Sequence, residues 1–342
     1  MIRIIGVLLA VLVVSFVSFY FWAKAPSWSA TDYDVVTTFE APPADSSRAL
    51  RVMTYNIGYL SGMTNNLPVD RPQSLVASHL EAAVALHQRV DADIVGYQEI
   101  DFESARGFGI DQLDTLGQAL GYHAAARAVN WDKNYVPFPY GLPSVNFGRV
   151  VSGQGILSRY PIASHVVTRL ERPITPFYYD AFYLDRLAQV VVIETPEPIA
   201  VINVHLEAFD ATSRGTQGEE LLNIIERWMA MYPTILMGDF NTVMPVDRAG
   251  GRLSDEDQAS VAGENVMGQL TETLGLVEVL DGESARSFLG TYPADAPVVK
   301  IDHILVHPDQ WEVLTASVVP DPSALSDHLP VVATVRRVAS NP

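Results

Sequence analysis

The sequence predicts an α/β fold, a sandwich of two mixed β-sheets packed face to face with helices outside. Three observations support this fold class. Short runs rich in β-branched residues alternate with segments whose apolar residues recur at helical spacing. Two neighbouring runs, Ala188–Glu194 and Ile199–His205, flank a turn at Pro196–Pro198 and indicate a hairpin. The apolar run Thr234–Met237 has the length of a buried strand and leads directly into polar residues.

The other elements follow in chain order from the same two periodicities. Strands are predicted where short apolar runs are rich in β-branched residues, and helices where apolar residues recur every three to four positions. The predicted strands are Leu50–Ile57, Ile94–Tyr97, a strand that begins at Gly155–Leu157, Ile301–Val306 and Val331–Val335. The predicted helices are Ser74–Arg89, Gln112–Leu120 and Gly218–Met231.

Composition limits the class of protein. Hydrophobic residues make up 48% of the 342 residues, enough to build a core in one large domain or two small ones. The absence of cysteine excludes disulfides and cysteine-based zinc sites. The formal net charge of -18 counts against tight binding to duplex DNA, which relies on neutralising phosphates, although a local basic patch is still compatible with it.

The N-terminal segment, residues 1–24, is predicted to be a membrane anchor or signal segment. Ile4–Trp22 is almost wholly apolar and long enough for one bilayer crossing. Its length favours an uncleaved anchor over a signal peptide cleaved near Ala23–Ala25. Both alternatives place the body outside the cytoplasm, in a periplasmic or extracellular position. Residues 25–47, rich in Pro, Ser, Asp and Thr, are predicted as a linker, and residues 48–338 as the body.

Two long segments combine aromatic residues with proline and are predicted as loops. They are Trp131–Phe147 and Arg172–Tyr183. Such loops are suited to lining a substrate cleft or touching lipid. Ordinary packing of a surface loop would produce the same composition, so the sequence leaves both interpretations open.

Two polar residues close predicted strands in the first half of the chain. Asn56 could orient a phosphate oxygen or the water around a metal ion, although asparagine after a strand is also an ordinary turn residue. Glu99 ends a buried apolar strand, where a carboxylate is costly unless a partner offsets its charge. Magnesium would do so, because it prefers carboxylate oxygens, and a salt bridge at the strand end is the alternative.

The second half adds three more candidates at strand ends. His205 emerges from a β-branched strand, where it could donate to a phosphate oxygen or move a proton, unless it is a structural histidine. Asp239 and Asn241 follow Gly238, which permits a tight departure from the strand. They offer a proton acceptor for water beside an amide for phosphate, although an Asx turn gives the same local pattern.

The last candidates are Asp302 and the pair Asp327 and His328, which precedes a proline and a strand. A histidine that faces a phosphate needs its other ring nitrogen held by a carboxylate, which fixes the tautomer. Asp302 is the natural partner for His328, and Asp327 is suited to a metal or water contact. Strand ends at one edge of a sandwich converge, so the whole series predicts one site assembled from distant segments.

In their order along the chain, these motifs resemble the endonuclease/exonuclease/phosphatase superfamily of DNase-I-like phosphoesterases. The resemblance covers about Arg48 to Arg337, and Gly155–Ile162 is similar to the family's central strand and turn. It implies a four-layered α/β sandwich and a Mg²⁺ cofactor, with Mn²⁺ as an alternative. One position departs from the abasic-site endonucleases, because Gly58 stands where they carry an acidic residue, which weakens the case for a second metal of that kind.

The resemblance also implies roles for the matched residues. Asn56, Glu99 and Asp327 would lie on the metal side. The remaining implied roles are phosphate contact for His205, orientation or deprotonation of the attacking water for Asp239, phosphate binding for Asn241, and a hydrogen-bonded pair for Asp302 and His328.

The function that follows is metal-dependent hydrolysis of a phosphodiester or phosphomonoester, with a phospholipid head group or similar small phosphate ester as the expected substrate. The apolar segment, the acidic body and the aromatic segments favour it. An extracytoplasmic Mg²⁺-dependent nuclease is the first alternative, with nucleic acid disfavoured as a partner by the charge. A non-catalytic binding module on the same fold is the second. The sequence gives no prediction of the oligomeric state.

Overall fold

The computed structural model describes residues 2–44, 49–249, 263–280 and 290–338. Within them the chain forms two mixed sheets. The first sheet contains, in chain order, β1 Val36–Thr38, β2 Leu50–Asn56, β3 Ile94–Asp101, β4 Ala124–Val136, β5 Gly148–Ser158, β12 Trp311–Val318 and β13 Val331–Arg337. The second contains β6 Ile162–Arg169, β7 Leu187–Ile193, β8 Ile199–His205, β9 Thr234–Asp239, β10 Val277–Glu278 and β11 Asp302–Val306.

The strand order explains why both sheets are mixed. The first sheet runs β1-β4-β5-β3-β2-β13-β12, and the second runs β10-β11-β9-β8-β7-β6. Each contains one parallel pair, β2 with β3 and β8 with β9, among antiparallel neighbours. Helices connect both parallel pairs, as crossover connections require. The described helices are α1 Ile2–Lys24, α2 Gln73–Val90, α3 Gln112–Ala119, α4 Phe177–Asp180, α5 Ala211–Met229, α6 Pro245–Ala249 and α7 Val266–Leu274.

Apolar side chains divide among three main layers of core. Val52 and Ile94 of the first sheet meet Val201 and Ile235 of the second in the central layer. On the outer face of the first sheet, α2 and α3 cover residues such as Met53. On the outer face of the second, α5 and α7 cover its strands. The four-layered α/β sandwich is therefore confirmed, and strands covered on both faces account for the continuous apolar runs in the sequence.

Helix α1 is almost wholly exposed and carries a mean hydropathy of 2.7 over its most apolar stretch. By length and composition it could cross a membrane, and a signal sequence near an N-terminus would have the same properties. Its C-terminal end contacts the body, where Ala23 is buried and the Asn134 amide donates to the carbonyl of Trp22 at 3.1 Å.

The segment predicted as a linker differs from that prediction. Val36–Thr38 pairs with β4 as the edge strand of the first sheet. The carboxylate of Asp132 accepts hydrogen bonds from Ser27, Trp28 and Tyr33 at 2.7–2.8 Å. A three-residue strand is too short to show periodicity, and its partner residues lie 86 to 90 positions away in the chain, so local sequence carries no signal for it.

The first aromatic segment was also predicted wrongly in part. Residues 131–136 continue β4 instead of forming a loop, and Trp131 and Phe147 are buried and pack edge to face. The second segment keeps its loop character around the single turn of α4. There Phe177 and Tyr178 are 74% and 62% exposed.

Candidate active site

The two parallel strand pairs bring the predicted residues to one end of the sandwich. In the second sheet, His205 at the end of β8 lies in register with Asp239 at the end of β9. Asp302 at the start of β11 faces the same Asp239 across an antiparallel pair. In the first sheet, Asn56 at the end of β2 pairs with Gln98, the residue before Glu99. Seven of the eight predicted residues therefore project from strand ends or from the loops beside them. Glu99 was predicted to end its strand, but β3 continues to Asp101 and Glu99 lies within it.

The turn after β9 depends on Gly238. Its φ of +150° lies in a region that L side chains rarely adopt, and a Cβ there would sit 2.0 Å from the carbonyl oxygen of Val204. Asn241 takes a left-handed φ of 50°, which asparagine tolerates. The turn is held by the backbone N–H of Asn241, which donates to Asp239 at 2.9 Å, and by its side-chain amide, which donates to the Leu206 carbonyl at 3.0 Å.

One half of the site is a hydrogen-bonded network around Asp239. His328 places its Nδ1 2.9 Å from Asp302 and its Nε2 3.9 Å from Asp239. The Asn56 amide donates to Asp239 at 2.9 Å, and His205 Nε2 lies 3.5 Å from the same carboxylate. All five side chains are buried. The network confirms the expected pairing of Asp302 with His328 and connects Asn56 to Asp239 more directly than to Glu99.

The other half of the site holds two partly exposed carboxylates. Glu99 has a left-handed φ of 51° and lies where the pairing of β3 with β5 shifts register, and such a bulge re-aims a side chain. The amide of Asn65 donates to Glu99 at 2.9 Å and lies 3.4 Å from Asp327. One neutral amide thus stands between two acidic groups, which would otherwise repel each other at neutral pH.

The electrostatic environment of the network shifts the pKa values of its titratable side chains in different directions. Burial lowers the pKa of His328, but the carboxylates of Asp302 and Asp239 outweigh it and hold this pKa well above its usual value. Burial and the neighbouring Asp302 raise the pKa of Asp239 to about 7. Burial, Arg186 and His328 keep the pKa of His205 well below its usual value, so this imidazole is neutral. The site therefore offers a protonated histidine beside a carboxyl group poised near neutrality.

The Glu99 side has the opposite balance. Burial and then the charge of Asp327 raise the pKa of the Glu99 carboxyl, and the Asn65 hydrogen bond only partly offsets them. The Oδ1 atom of Asn65 is buried and accepts no hydrogen bond from the described residues. Two neighbouring carboxylates supply oxygen donors, which suit Mg²⁺.

A second grouping could also hold a metal ion. Ligand atoms of Asp239, Asp302 and His328 lie within 4.8 Å of one another. Each of these three side chains already has a hydrogen-bond partner inside the network. A cation there would lie beside His328, whose pKa burial lowers but Asp302 and Asp239 hold well above its usual value, so the protonated imidazole would repel it. No described cationic side chain forms an ion pair with Glu99 or Asp327.

Two residues of the site were not predicted from the sequence. Asn65 lies in a short irregular turn after β2, away from any strand end, so its type and position carry no signal. Arg186, just before β7, is buried and places its Nε 3.4 Å from Glu207, while its Nη1 has no hydrogen-bond partner among the described residues. A charged residue directly before an apolar strand was the available signal for it.

Comparisons with known proteins agree with this geometry. The model of a family described as the endonuclease/exonuclease/phosphatase family matches residues 53–328. No curated protein matched the sequence.

Solved structures with the same fold include an endonuclease/exonuclease/phosphatase from Beutenbergia cavernae, with 20% identity, a TM-score of 0.59 and coverage of 85% of this chain and 72% of that one. The human Nocturnin catalytic domain with bound sulfate has 18% identity and a TM-score of 0.56, with 89% and 98% covered. A mannosyl-6-phosphatase from Bacteroides thetaiotaomicron has 17% identity and a TM-score of 0.54, with 84% and 100% covered. At these identities the likeness shows a shared fold.

Proposed function

The chain belongs to the endonuclease/exonuclease/phosphatase family, and we propose that it is a divalent-metal-dependent phosphoesterase that hydrolyses a phosphodiester or phosphomonoester by in-line attack of water. One observation carries the proposal. A hydrogen-bonded network around Asp239 lies beside a pair of like-charged carboxylates, Glu99 and Asp327, since Asp327 precedes His328 in the chain and one Asn65 amide lies near both carboxylates. The first supplies groups for proton transfer and phosphate contact, and the second supplies donors for a cation.

The carboxylate oxygens of Glu99 and Asp327 fit Mg²⁺, with Mn²⁺ as an alternative. Both carboxylates lie beside the same amide nitrogen of Asn65, at 2.9 Å and 3.4 Å, and no described cationic side chain forms an ion pair with either. When bound there, the cation would neutralise charge that develops on the phosphate and its leaving oxygen. Asn56, which was also expected on the metal side, would act mainly by orienting Asp239 through its 2.9 Å hydrogen bond.

The network supplies the other functions. Asp239 holds the attacking water and accepts its proton, which a pKa of about 7 permits at neutral pH. His328, protonated and oriented by Asp302, donates to a phosphate oxygen and stabilises the charge of the transition state. His205 is neutral and can donate one hydrogen bond to the phosphate. Asn241 shapes the turn that presents Asp239 and lies beside it for phosphate contact.

For the substrate we favour a phospholipid head group or a similar small phosphate ester, handled outside the cytoplasm. The support is the apolar helix α1, the exposed aromatic residues and the net charge of -18, which disfavours a polyanionic nucleic acid. Periplasmic and extracellular placement both agree with an N-terminal helix that anchors the chain, and cleavage of that helix would release a secreted enzyme.

The test is an activity screen with added Mg²⁺ or Mn²⁺ or with EDTA. Its substrates are a bis-aryl phosphodiester, an aryl phosphomonoester, a phospholipid panel and plasmid DNA. Asp309→Asn is a matched control for variants of the site, because Asp309 is an exposed carboxylate beyond the opposite end of β11. We expect metal-dependent turnover that Asp309→Asn retains. Cleavage of DNA alone would support a nuclease instead, and no turnover on any substrate would support a binding module.

A further inference from the structure

Exposed aromatic side chains gather on one rim of the body. This aromatic rim consists of Tyr140, Phe177, Tyr178, Tyr179 and Phe209, which are 40–84% exposed. Large exposed aromatic clusters are uncommon on soluble monomers and mark a surface that contacts a partner or a membrane. Tyrosine in particular is enriched where one end of a side chain meets apolar material and the other meets water.

Contacts in the structure show that the rim is one surface. The rings of Phe177 and Tyr178 lie 5.6 Å apart, and those of Tyr179 and Tyr183 lie 5.2 Å apart. The Tyr183 hydroxyl donates to Glu207 at 2.6 Å, and the backbone N–H of Phe209 donates to the same oxygen at 3.0 Å. Burial, Glu207 and Tyr140 together raise the pKa of Tyr179, as expected if its phenol faces both residues.

The rim adjoins the apolar helix. The ring of Tyr20 lies 6.3 Å from that of Phe177 and 5.9 Å from that of Phe182. The Tyr20 hydroxyl also donates to the Phe177 carbonyl at 3.4 Å. The neighbouring residue of α1, Phe19, packs edge to face on Tyr135 of β4. The rim is therefore fixed beside the last turn of α1, and the rest of the helix projects away from the body without being covered by it.

This placement sets the height of the rim relative to a bilayer. A helix of 23 residues is about 35 Å long, only slightly longer than the hydrocarbon thickness of about 30 Å, so both of its ends would lie near the head groups. Lys24 then lies at the level of the head groups, with its ammonium 5.1 Å from the Tyr20 ring centre and 4.8 Å from that of Phe21. Because Phe177 touches Tyr20, the rim lies at that same level.

The rim also borders the candidate active site. Glu207, on which Tyr183 and Phe209 converge, accepts a contact from Arg186 and follows His205 by two positions. Arg186 lies close enough to His205 and Glu99 to shift the pKa of both, in each case as a smaller contribution than burial. A single buried charge pair thus connects the exposed aromatic rings to the proposed phosphate site.

From this arrangement we propose that the aromatic rim docks on the bilayer that holds α1, so that the site opens against the head groups and takes its substrate phosphate from a phospholipid of that bilayer. The substrate half of this inference rests on the proposed function. The occupant is a zwitterionic lipid surface, because aromatic insertion requires no lipid charge and a net charge of -18 would oppose an anionic membrane.

The proposed docking on the bilayer can be tested in proteoliposomes by measuring how close fluorophores attached to the protein lie to the lipid. The chain lacks cysteine, so a single introduced cysteine can be labelled cleanly in the full-length protein. Tyr178→Cys and Phe209→Cys report on the rim. Leu314→Cys is the matched control, an exposed apolar site on β12, at the edge of the first sheet farthest from β4 and α1. Each variant carries an environment-sensitive fluorophore in phosphatidylcholine vesicles with or without a lipid-attached spin-label quencher.

We expect the lipid-attached quencher to reduce fluorescence at both rim positions at least about twofold, and to leave the Leu314→Cys label unchanged. High salt should not alter this result, because the contact is apolar. Equal, weak quenching at all three positions would overturn the docking proposal, whatever the enzymatic activity of the protein.

The substrate half is tested by a split between two substrates. Phe177→Ser and Phe209→Ser remove exposed rings and no residue of the proposed catalytic network. We expect them to lower phosphate-ester hydrolysis in phospholipid vesicles about tenfold and to change turnover of a soluble bis-aryl phosphodiester less than twofold. Equal turnover of lipid by variant and parent would overturn lipid delivery by the rim. If the parent protein itself does not hydrolyse the soluble diester, that result would instead contradict the proposed function.

Discussion

The two halves of the candidate active site differ in how fully their charged groups are paired with other groups of the protein. Around Asp239, the side chains of Asn56, His205, Asp302 and His328 form one connected network, in which Asp302 Oδ1 is buried without a hydrogen-bond partner among the described residues. Around Glu99, two carboxylates share a single neutral amide, and no described cationic side chain forms an ion pair with Glu99 or Asp327. The first half is held in place by its own hydrogen bonds, whereas the second carries negative charge that the proposed cation would balance.

The difference indicates a division of labour. Preorganised groups are most effective when they are rigid before the substrate arrives, because they then require no reorganisation during the reaction. Two neighbouring carboxylates repel each other and lower the stability of the folded protein when no cation is present. Binding of the proposed cation would restore that stability. Substitutions in the first half should therefore alter turnover, and substitutions in the second should alter metal affinity and stability.

Asp239→Asn should have the largest effect. The amide keeps the shape of the carboxyl but cannot accept a proton from water, so kcat should fall about 1,000-fold or more at saturating metal. Steady-state kinetics on the bis-aryl phosphodiester measures the loss. A kcat within tenfold of the parent would remove Asp239 from the role of base. Asp309→Asn controls for the loss of one negative charge.

Asp302→Asn should rank second, with a fall in kcat of about 100-fold. The substitution removes the carboxylate that holds His328 Nδ1 at 2.9 Å and so weakens both the orientation and the protonation of the imidazole. NMR titration of the His328 ring should show its pKa moving down towards the usual histidine value. An unchanged histidine titration together with unchanged kcat would show that the pair is not part of the working network.

Glu99→Gln should separate the two halves most clearly. Apparent affinity for Mg²⁺ should fall at least about tenfold, while excess Mg²⁺ should restore much of kcat. Without metal, the variant should be more stable than the parent by about 1 kcal/mol, because it removes the cost of burying the Glu99 charge and then the repulsion from Asp327. Metal titrations of activity and of Tm give both quantities. A variant with normal metal affinity would place the cation elsewhere, with the Asp239, Asp302 and His328 grouping as the next candidate.

His87→Gln should have the smallest effect on turnover, and it tests whether acid destabilises the fold outside the candidate active site. His87 is buried between the Ala83 carbonyl and the Tyr97 hydroxyl, and burial lowers its pKa to about 4. Since the unfolded value is about 6.5, protons bind the unfolded chain more readily, and stability is lost as pH falls from 6.5 towards 4.

The expected loss is about 2 kcal/mol between pH 7 and pH 5 in the parent, and it should be absent from His87→Gln. Urea unfolding of both proteins across this range measures the difference, in which titrations of all other groups cancel. Parallel curves for parent and variant would show that His87 does not titrate in this window.

The sequence contains enough to predict the layers of the fold and the strand-end residues. Apolar runs such as Ile199–His205 match the observed strand because both faces of it are buried. The polar start of α5 was missed, since its first turn depends on Asp210, whose carboxylate accepts from the Ser213 N–H at 2.6 Å. The strand predicted to begin at Gly155 is β5, which begins at Gly148. Its first part was missed because Gly153 and Gly155 interrupt the apolar pattern. The structure explains the glycine at Gly153, because a Cβ there would lie 1.9 Å from the Ala128 carbonyl oxygen.

The site was predictable where chemistry and strand ends coincide, as for Asp239 and His328. Asn65 was not, because its role depends on two carboxylates that lie 34 and 262 positions away in the chain. Arg186 was not predicted for a related reason. Its partner Glu207 belongs to the next connection, and only the folded β7–β8 hairpin brings the two charges together.

The hydrogen bonds that Asp132 accepts from Ser27, Trp28 and Tyr33 fix the segment after helix α1 to the body, so that the connection between them is short and ordered. A protein tethered this closely does not sample the volume around its anchor as a flexible linker would allow. If the helix stays in a membrane, the search for substrate becomes two-dimensional, and the surface density of phosphate esters within lateral reach sets the rate. Dilution of the surrounding solution would then leave turnover unchanged, whereas dilution of the substrate lipid with inert lipid would reduce it.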